Sequence, residues 1–522
     1  MTVFRFPASP SGAPIRPSLH ASALAEDGSG AALSSMMDTE AKATAPFSPF
    51  SALGARRMRS LSAVCMLLTV LGCSAAGEGR EGGALTGGLS KPGITAGGSA
   101  EGGGEGEATG SGATLGGRVG SCDSAWQAKA KYTLADKQSA RANEVIPAVP
   151  RPKKGVAQGD PVYGNCVQRL TDHAEEPPKS FARHDYSRRQ AFNADSSRVL
   201  IASHDGAWHL YDANTLTWLK QLDEPAGDAE LQWHPTDPDL VYFQPTNGVG
   251  MVLYELNVVS ERVREVADFS SRLRAIWPKA NSAWTKAEGA PSADGRYWCF
   301  MVDDAAWQSL GIFVWDMQKD EILGTKSTHG DRPDHVSMSP GGSRCVVSSD
   351  TAGVGTRAWT RDFSRSTLLH HKSEHSDLAF DAKGREVYVS IDYQSRAGDV
   401  FMVDLESGKR TTLFSTYLNN STTAVHFSGR AFKRPGWMLV STYASDGSQE
   451  WLHEKIMAMS LTPDPSIRGL AYHHTHYNGY WTEPQATVNQ DFTRILFNSN
   501  WGSKSELDID NYMISLQPNA LD

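Results

Sequence analysis

The sequence predicts an all-β protein, a seven-bladed β-propeller over residues 165–522, closed by an N-terminal strand and preceded by a signal segment and a disordered glycine-rich tether. Three observations predict it. A turn rich in Asp, Gly, Pro or Ser recurs seven times, at a spacing of roughly 40 to 57 residues, the range of a four-stranded blade. An apolar strand follows most of these turns in register. A spare strand, Cys166-Val167-Gln168-Arg169-Leu170-Thr171, stands before the first repeat, and the last repeat stops after its third strand.

The chain begins with residues 1–57, loose Ala/Ser/Pro-rich sequence expected to be disordered or to precede the true start of translation, for which Met58 would serve. Arg56, Arg57 and Arg59 then lead into an apolar run over 61–71 that ends Val70-Leu71-Gly72-Cys73. A basic stretch, a short apolar stretch and small residues describe an export signal rather than a spanning helix. The ending resembles the bacterial lipobox, which implies cleavage, lipidation of Cys73 and attachment at the cell envelope, on the outer membrane, in the periplasm or at the cell surface.

Residues 74–121 are mostly Gly, Ala, Ser, Thr and Glu. Such a segment buries too little apolar area to offset its ordering entropy, and reads as a flexible tether. Residues 122–164 form an approach segment, with a short helix expected over 128–142. Four cysteines lie beyond the signal. Cys122 with Cys166 would tie the tether to the domain, and Cys299 and Cys345, at similar places in successive repeats, are expected as buried thiols.

The seven turns begin at Ala194, Pro235, Ser292, Ser339, Asp381, a degenerate repeat ending Arg434-Pro435-Gly436, and Asn489. Third strands follow from His209, Val252, Ile312, Val400, Ile456 and Asn511, with a weaker one over 356–360. Alternating apolar and polar residues mark them as strands. The spare strand over 166–171 is expected to pair with 511–516 and close the ring, which removes the open sheet edges. This repeat style resembles the propellers of the TolB type and of the oligogalacturonate and ulvan lyases.

Net charge is −9 with no long basic run, which excludes a nucleic-acid footprint. In a propeller the loops before the first strand and after the second share one face. That places His184 and Tyr186 at the start of the first blade and His204 after its second strand on a common rim. His335 and His375 open blades four and five, and Trp481 and Glu483 open blade seven. Asp303, Asp350, Asp392, Tyr393 and Trp501 fall in loops on the same rim. Such a ring of His, Tyr, Arg and carboxylate around one channel mouth is a candidate site.

The first-blade group is similar in layout to the ulvan lyases, in which paired histidines line the site with a tyrosine and an arginine. The resemblance implies β-elimination from a uronic acid: His184 with Tyr186 or His204 as base and acid, and Arg188 or Arg189 neutralising the carboxylate. His335, His375, Trp481 and Glu483 would bind substrate. Tyr242, Tyr254, Arg272 and Arg274 are alternatives for the family's later tyrosine and arginine. Oligogalacturonate lyases hold a divalent metal with histidines and a glutamine, which His335, His375, His476 and Gln485 would imitate here with Mn, Zn or Ca. The expected partners are an acidic polysaccharide or oligosaccharide and, through the lipid, a membrane. The alternative reading is a non-catalytic TolB-like binding or scaffold propeller at the cell envelope. A glycosidase pair of Asp303 and Glu483 has no spacing to support it.

Overall fold

The computed structural model describes residues 131–132, 145–179, 181–225, 227–417, 423–444 and 452–522. The signal segment, Cys73, the glycine-rich tether and Cys122 lie outside them, as does most of the expected helix. Within that stretch Lys131 and Tyr132 are not helical but pair with Arg468 and Ile467, because the edge of blade six offers unpaired backbone groups to an extended segment.

Seven antiparallel sheets surround one channel. Blade one runs outward as Ala182–Arg183, Arg198–Ser203, Trp208–Asp212 and Trp218–Leu222. The inner strands of blades two to six are Glu230–Trp233, Ala280–Trp284, His335–Met338, Ser376–Phe380 and Thr423–Ser428. Blade seven is Thr487–Val488, Arg494–Ser499 and Asp510–Ser515, completed by Cys166–Arg169 from the N-terminal side. The expected closure is therefore present, in the register Cys166↔Ser515 to Arg169↔Tyr512. Ala157–Gly159 adds one more strand outside it.

Middle strands pack against a blade on each side, so they read as near-continuous apolar runs. Tyr297–Asp304 and Asp399–Asp404 are buried along almost their whole length, while Trp218–Leu222, an outer strand, is largely exposed. Between blades four and five, for example, Val346, Ala358 and Leu369 meet Leu378, Tyr388 and Phe401. Cys299 and Cys345 are not the free thiols expected. Equivalent positions in successive blades face each other across the packing layer, and the two are joined in a disulfide with Cα atoms 5.7 Å apart. Cys166 is also disulfide-bonded.

A polar clasp reinforces the closure. Asp510, fully buried, accepts from Arg169 (2.6 Å), the Thr171 hydroxyl (2.7 Å) and the His173 backbone N–H (3.0 Å), and also pairs with Arg151. Burial alone would raise its pKa, but His173 and Arg169 hold it down to about 2.

Candidate functional site

Two irregular inner strands fill the channel. In blade one, Arg183 pairs with Ala202 and Phe192 bridges Val199, so residues 184–191 stand opposite Leu200 and Ile201 alone. In blade three the strand leaves its register after Trp284, with Lys286 and Ala287 at positive φ. The two excursions meet. Arg189 donates to the carbonyls of Ala287 (3.0 Å) and Gly289 (3.4 Å), and Arg188 pairs with Glu288 at 3.0 Å. Arg188 also donates to His335 Nε2 in blade four and to the Glu374 carbonyl (3.4 Å). Blade one neighbours neither blade three nor blade four, so these contacts cross the channel.

Several of the residues expected at the mouth come together here. Tyr186 stands edge-on to His426 (5.5 Å between centroids), His426 stacks on His375 (4.3 Å), and His426 Nε2 donates to Glu483 at 2.8 Å. His426, an inner-strand residue with no turn or loop signal, was not legible as a member of this cluster. Burial, with His375 and Arg188 nearby, holds its imidazole well below the usual range, so it is neutral. His335 donates from Nδ1 toward Asp334 (3.3 Å), and its Nε2 lies 3.0 Å from the Ser348 hydroxyl.

His184 has both ring nitrogens engaged by protein. Nε2 donates to the Gln485 carbonyl at 2.5 Å and Nδ1 lies 3.1 Å from the Asn511 side-chain amide. It is fully buried, and that burial lowers its pKa to about 4. His204, by contrast, is exposed. Its ring meets Phe181 (5.6 Å) and Trp481 (6.3 Å), and among the described residues neither nitrogen is hydrogen-bonded.

The expected metal set is not assembled. His476 is exposed and bonds Asn500 through its backbone, whereas Gln485 is buried against Arg183 and Glu483, and His375 Nδ1 faces the Val425 carbonyl (2.7 Å). Ligand-type atoms of Glu288, Asp334 and His335 do lie within 4.8 Å of one another. Yet Arg188 sits on Glu288 and Lys286 on Asp334 (2.9 Å), so a divalent ion would meet two fixed cations. These donors do not fit a metal.

The other rim candidates are dispersed. Asp303 holds Trp284 Nε1 (2.9 Å) and Arg332 (3.0 Å), away from Glu483, and Asp392 pairs with exposed Arg410. Asp350 accepts from the Ser373 backbone, Tyr393 accepts from Val425 N–H, and Trp501 stacks on Tyr512. Tyr242 is in the core against Trp298, and Arg272 pairs with Asp320 at the surface. Tyr254 stacks on Phe243, and Arg274 donates to the Ala280 carbonyl.

Arg183 is the residue the sequence reading missed. It is 2% exposed and donates to Gln485 Oε1 and to the carbonyls of His184 (3.2 Å) and Asp185 (3.3 Å). Its guanidinium lies over the rings of Tyr480 (5.4 Å) and Trp481 (5.2 Å). Asp185 pairs with Arg189 instead (3.1 Å), so among the described residues Arg183 has no carboxylate partner, and its Nη1 has no partner at all. A buried cation without a counter-ion is costly, which makes its neighbourhood a place for an anion. A lone Arg at a strand end carries no signal in a single sequence, and only the closure of blade one on blade seven brings it to Trp481.

No protein-family model matches the chain, and no curated protein matches it in sequence. Among solved structures, an oligogalacturonate lyase from Vibrio parahaemolyticus is similar with a TM-score of 0.49 and 13% identity, over 70% of this chain and 97% of that one. The hydrazine synthase of Kuenenia stuttgartiensis gives a TM-score of 0.40, also at 13% identity, over 61% of this chain and 94% of that one. By its own strand pairing, the chain is a seven-bladed β-propeller.

Proposed function

We propose that this protein is an exported propeller that takes an acidic glycan at the mouth between blades one and seven and cleaves it by β-elimination. The observation that carries the reading is Arg183, a buried guanidinium with no carboxylate partner among the described residues, framed by Tyr480 and Trp481. A uronate carboxylate on Arg183 would neutralise it, and the sugar face would lie against Trp481. Neutralising that carboxylate acidifies the adjacent C5 proton. His204, an exposed imidazole across Trp481 with no hydrogen bond among the described residues, would then take the proton. The electron pair left at C5 forms the C4–C5 double bond, the C4–O bond breaks, and the departing oxygen takes a proton from Tyr480. Burial pushes the Tyr480 phenol well above its ordinary value and so keeps it protonated. The roles move from His184 to His204 because both His184 nitrogens are engaged. Attachment at the envelope through Cys73 belongs to the same reading, and the Cys299–Cys345 disulfide supports an oxidising compartment.

A second reading, a non-catalytic receptor for acidic glycan, is favoured by the engagement of His184 and His426 with protein partners. One experiment separates the two. The full chain is incubated with uronate polysaccharides, and both binding and the ultraviolet absorbance of an unsaturated product are followed. His204→Ala is expected to bind without producing absorbance, and Arg183→Gln to lose both the absorbance and the binding at the mouth. Binding with no absorbance from the wild type selects the receptor, and absence of binding to every uronate polymer refutes both.

A further inference from the structure

The opposite face carries a second charged feature. A cavity of about 510 Å³ lies between blades three and four, among the turns that join first to second and third to fourth strands. Five of its lining side chains are cationic: Arg296, Lys319, Arg344, Arg361 and Arg365. Arg296 is held by Asp316 (2.7 Å) and Arg344 by Glu406. Lys319, Arg361 and Arg365 have no carboxylate partner among the described residues. Asp362, the nearby carboxylate, accepts from Thr360 (2.6 Å) and Ser364 (2.8 Å). In a chain of net charge −9, this local surplus of positive charge runs against the average.

The groove is built rather than incidental. Tyr297 forms part of its wall with Arg296 (4.8 Å) and Arg361 (4.3 Å) over its ring. The ring has room because Gly342, at φ +72°, carries no Cβ, which would lie 2.4 Å from Tyr297 Cδ2. Gly324 likewise lets the turn of blade four approach, since a Cβ there would stand 2.5 Å from the Arg361 carbonyl. The Cys299–Cys345 disulfide joins the two walls, two residues beyond Tyr297 and one beyond Arg344.

We infer that this groove is a second binding site for acidic saccharide, separate from the mouth, in which Lys319, Arg361 and Arg365 take carboxylates. The inference rests on the acidic-glycan reading for its ligand class but uses none of the mouth residues. A polymer held there and at the mouth would gain avidity from two contacts on one chain.

Calorimetry of the full chain with a galacturonate trisaccharide tests it, with a neutral galactose trisaccharide as control. The wild type is expected to bind two acidic trisaccharides and no neutral one, more weakly as salt rises. Lys319→Gln/Arg361→Gln/Arg365→Gln should bind one, and its affinity for polygalacturonate should fall about tenfold or more. Arg365→Glu alone, at an exposed position, should weaken the same site and leave the melting temperature unchanged. Arg183→Gln should also bind one, through the groove. A triple variant with wild-type stoichiometry and polymer affinity overturns the groove, as does equal binding of the neutral sugar. If the triple variant abolishes the sole trisaccharide site and Arg183→Gln changes nothing, the groove stands and the mouth reading fails.

Discussion

Arg183 and Trp481, nearly 300 positions apart in the chain, meet at the seam where the ring closes, the guanidinium carbon 5.2 Å from the indole centroid. The arginine belongs to the inner strand of blade one and the tryptophan to the connection into blade seven. Trp481→Ala is expected to weaken binding of a uronate trisaccharide at the mouth about tenfold, roughly 1.4 kcal/mol. The same variant should leave the groove between blades three and four unaffected. Calorimetry on the variant, with the melting temperature as a control for the ring's contact with Phe181, measures this.

His184→Ala should destabilise the domain by about 1–3 kcal/mol, because it leaves the Gln485 carbonyl and the Asn511 amide without their buried partner. Urea denaturation is the measurement. A variant as stable as the wild type would mean that the imidazole does not hold blade one to blade seven.

Burial holds His184 near a pKa of about 4 and His473 near about 3, both below the roughly 6.5 of an unfolded chain. Below pH 6.5 the unfolded state therefore binds more protons than the folded one, and stability falls as pH falls. The expected slope is about 1.4 kcal/mol per pH unit for each histidine, flattening for His184 below about pH 4. Unfolding free energies at pH 7 and pH 5 give the slope, and His184→Asn should reduce it by one proton.

Asp510→Asn should cost about 3–5 kcal/mol, since it leaves Arg169 and its partners buried without their counter-charge. The wild-type Asp510 has a folded pKa of about 2 against roughly 3.9 unfolded. Its contribution is thus complete above about pH 4 and lost between there and pH 2. Equilibrium denaturation of wild type and variant across that window should converge as the carboxylate is protonated.

The disulfide closes a loop with a sequence separation of 46. On the chain-entropy account its loss costs roughly 4 kcal/mol. Cys299→Ser/Cys345→Ser is expected to lower the urea midpoint accordingly, and a reducing agent should shift the wild type by more than the variant, which retains the Cys166 disulfide.

Blade number, strand order and ring closure follow from the sequence by itself, because each depends on local periodicity. The turn at Ser292 and the strand from Ile312 repeat what Ser339 and the strand over 356–360 do one blade later, and the unpaired run over 166–171 matches the missing fourth strand after Asn511. The places of His335 at the start of its inner strand and of His375 just before the next one follow in the same way. What a side chain does once it arrives depends on partners hundreds of residues away, and local pattern carries no record of them. His184 and His204 flank one hairpin, yet the carbonyl of Gln485 and the amide of Asn511 engage the first and leave the second at the surface. Arg188, expected to face a substrate, is neutralised by Glu288 because blade three's inner strand leaves its register at Lys286, and Arg183 has no ion pair among the described residues because Asp185 turns to Arg189. Only the tertiary structure decides which arginine meets a carboxylate, because ion pairing inside the channel is set by the closure of the ring and not by spacing along the chain.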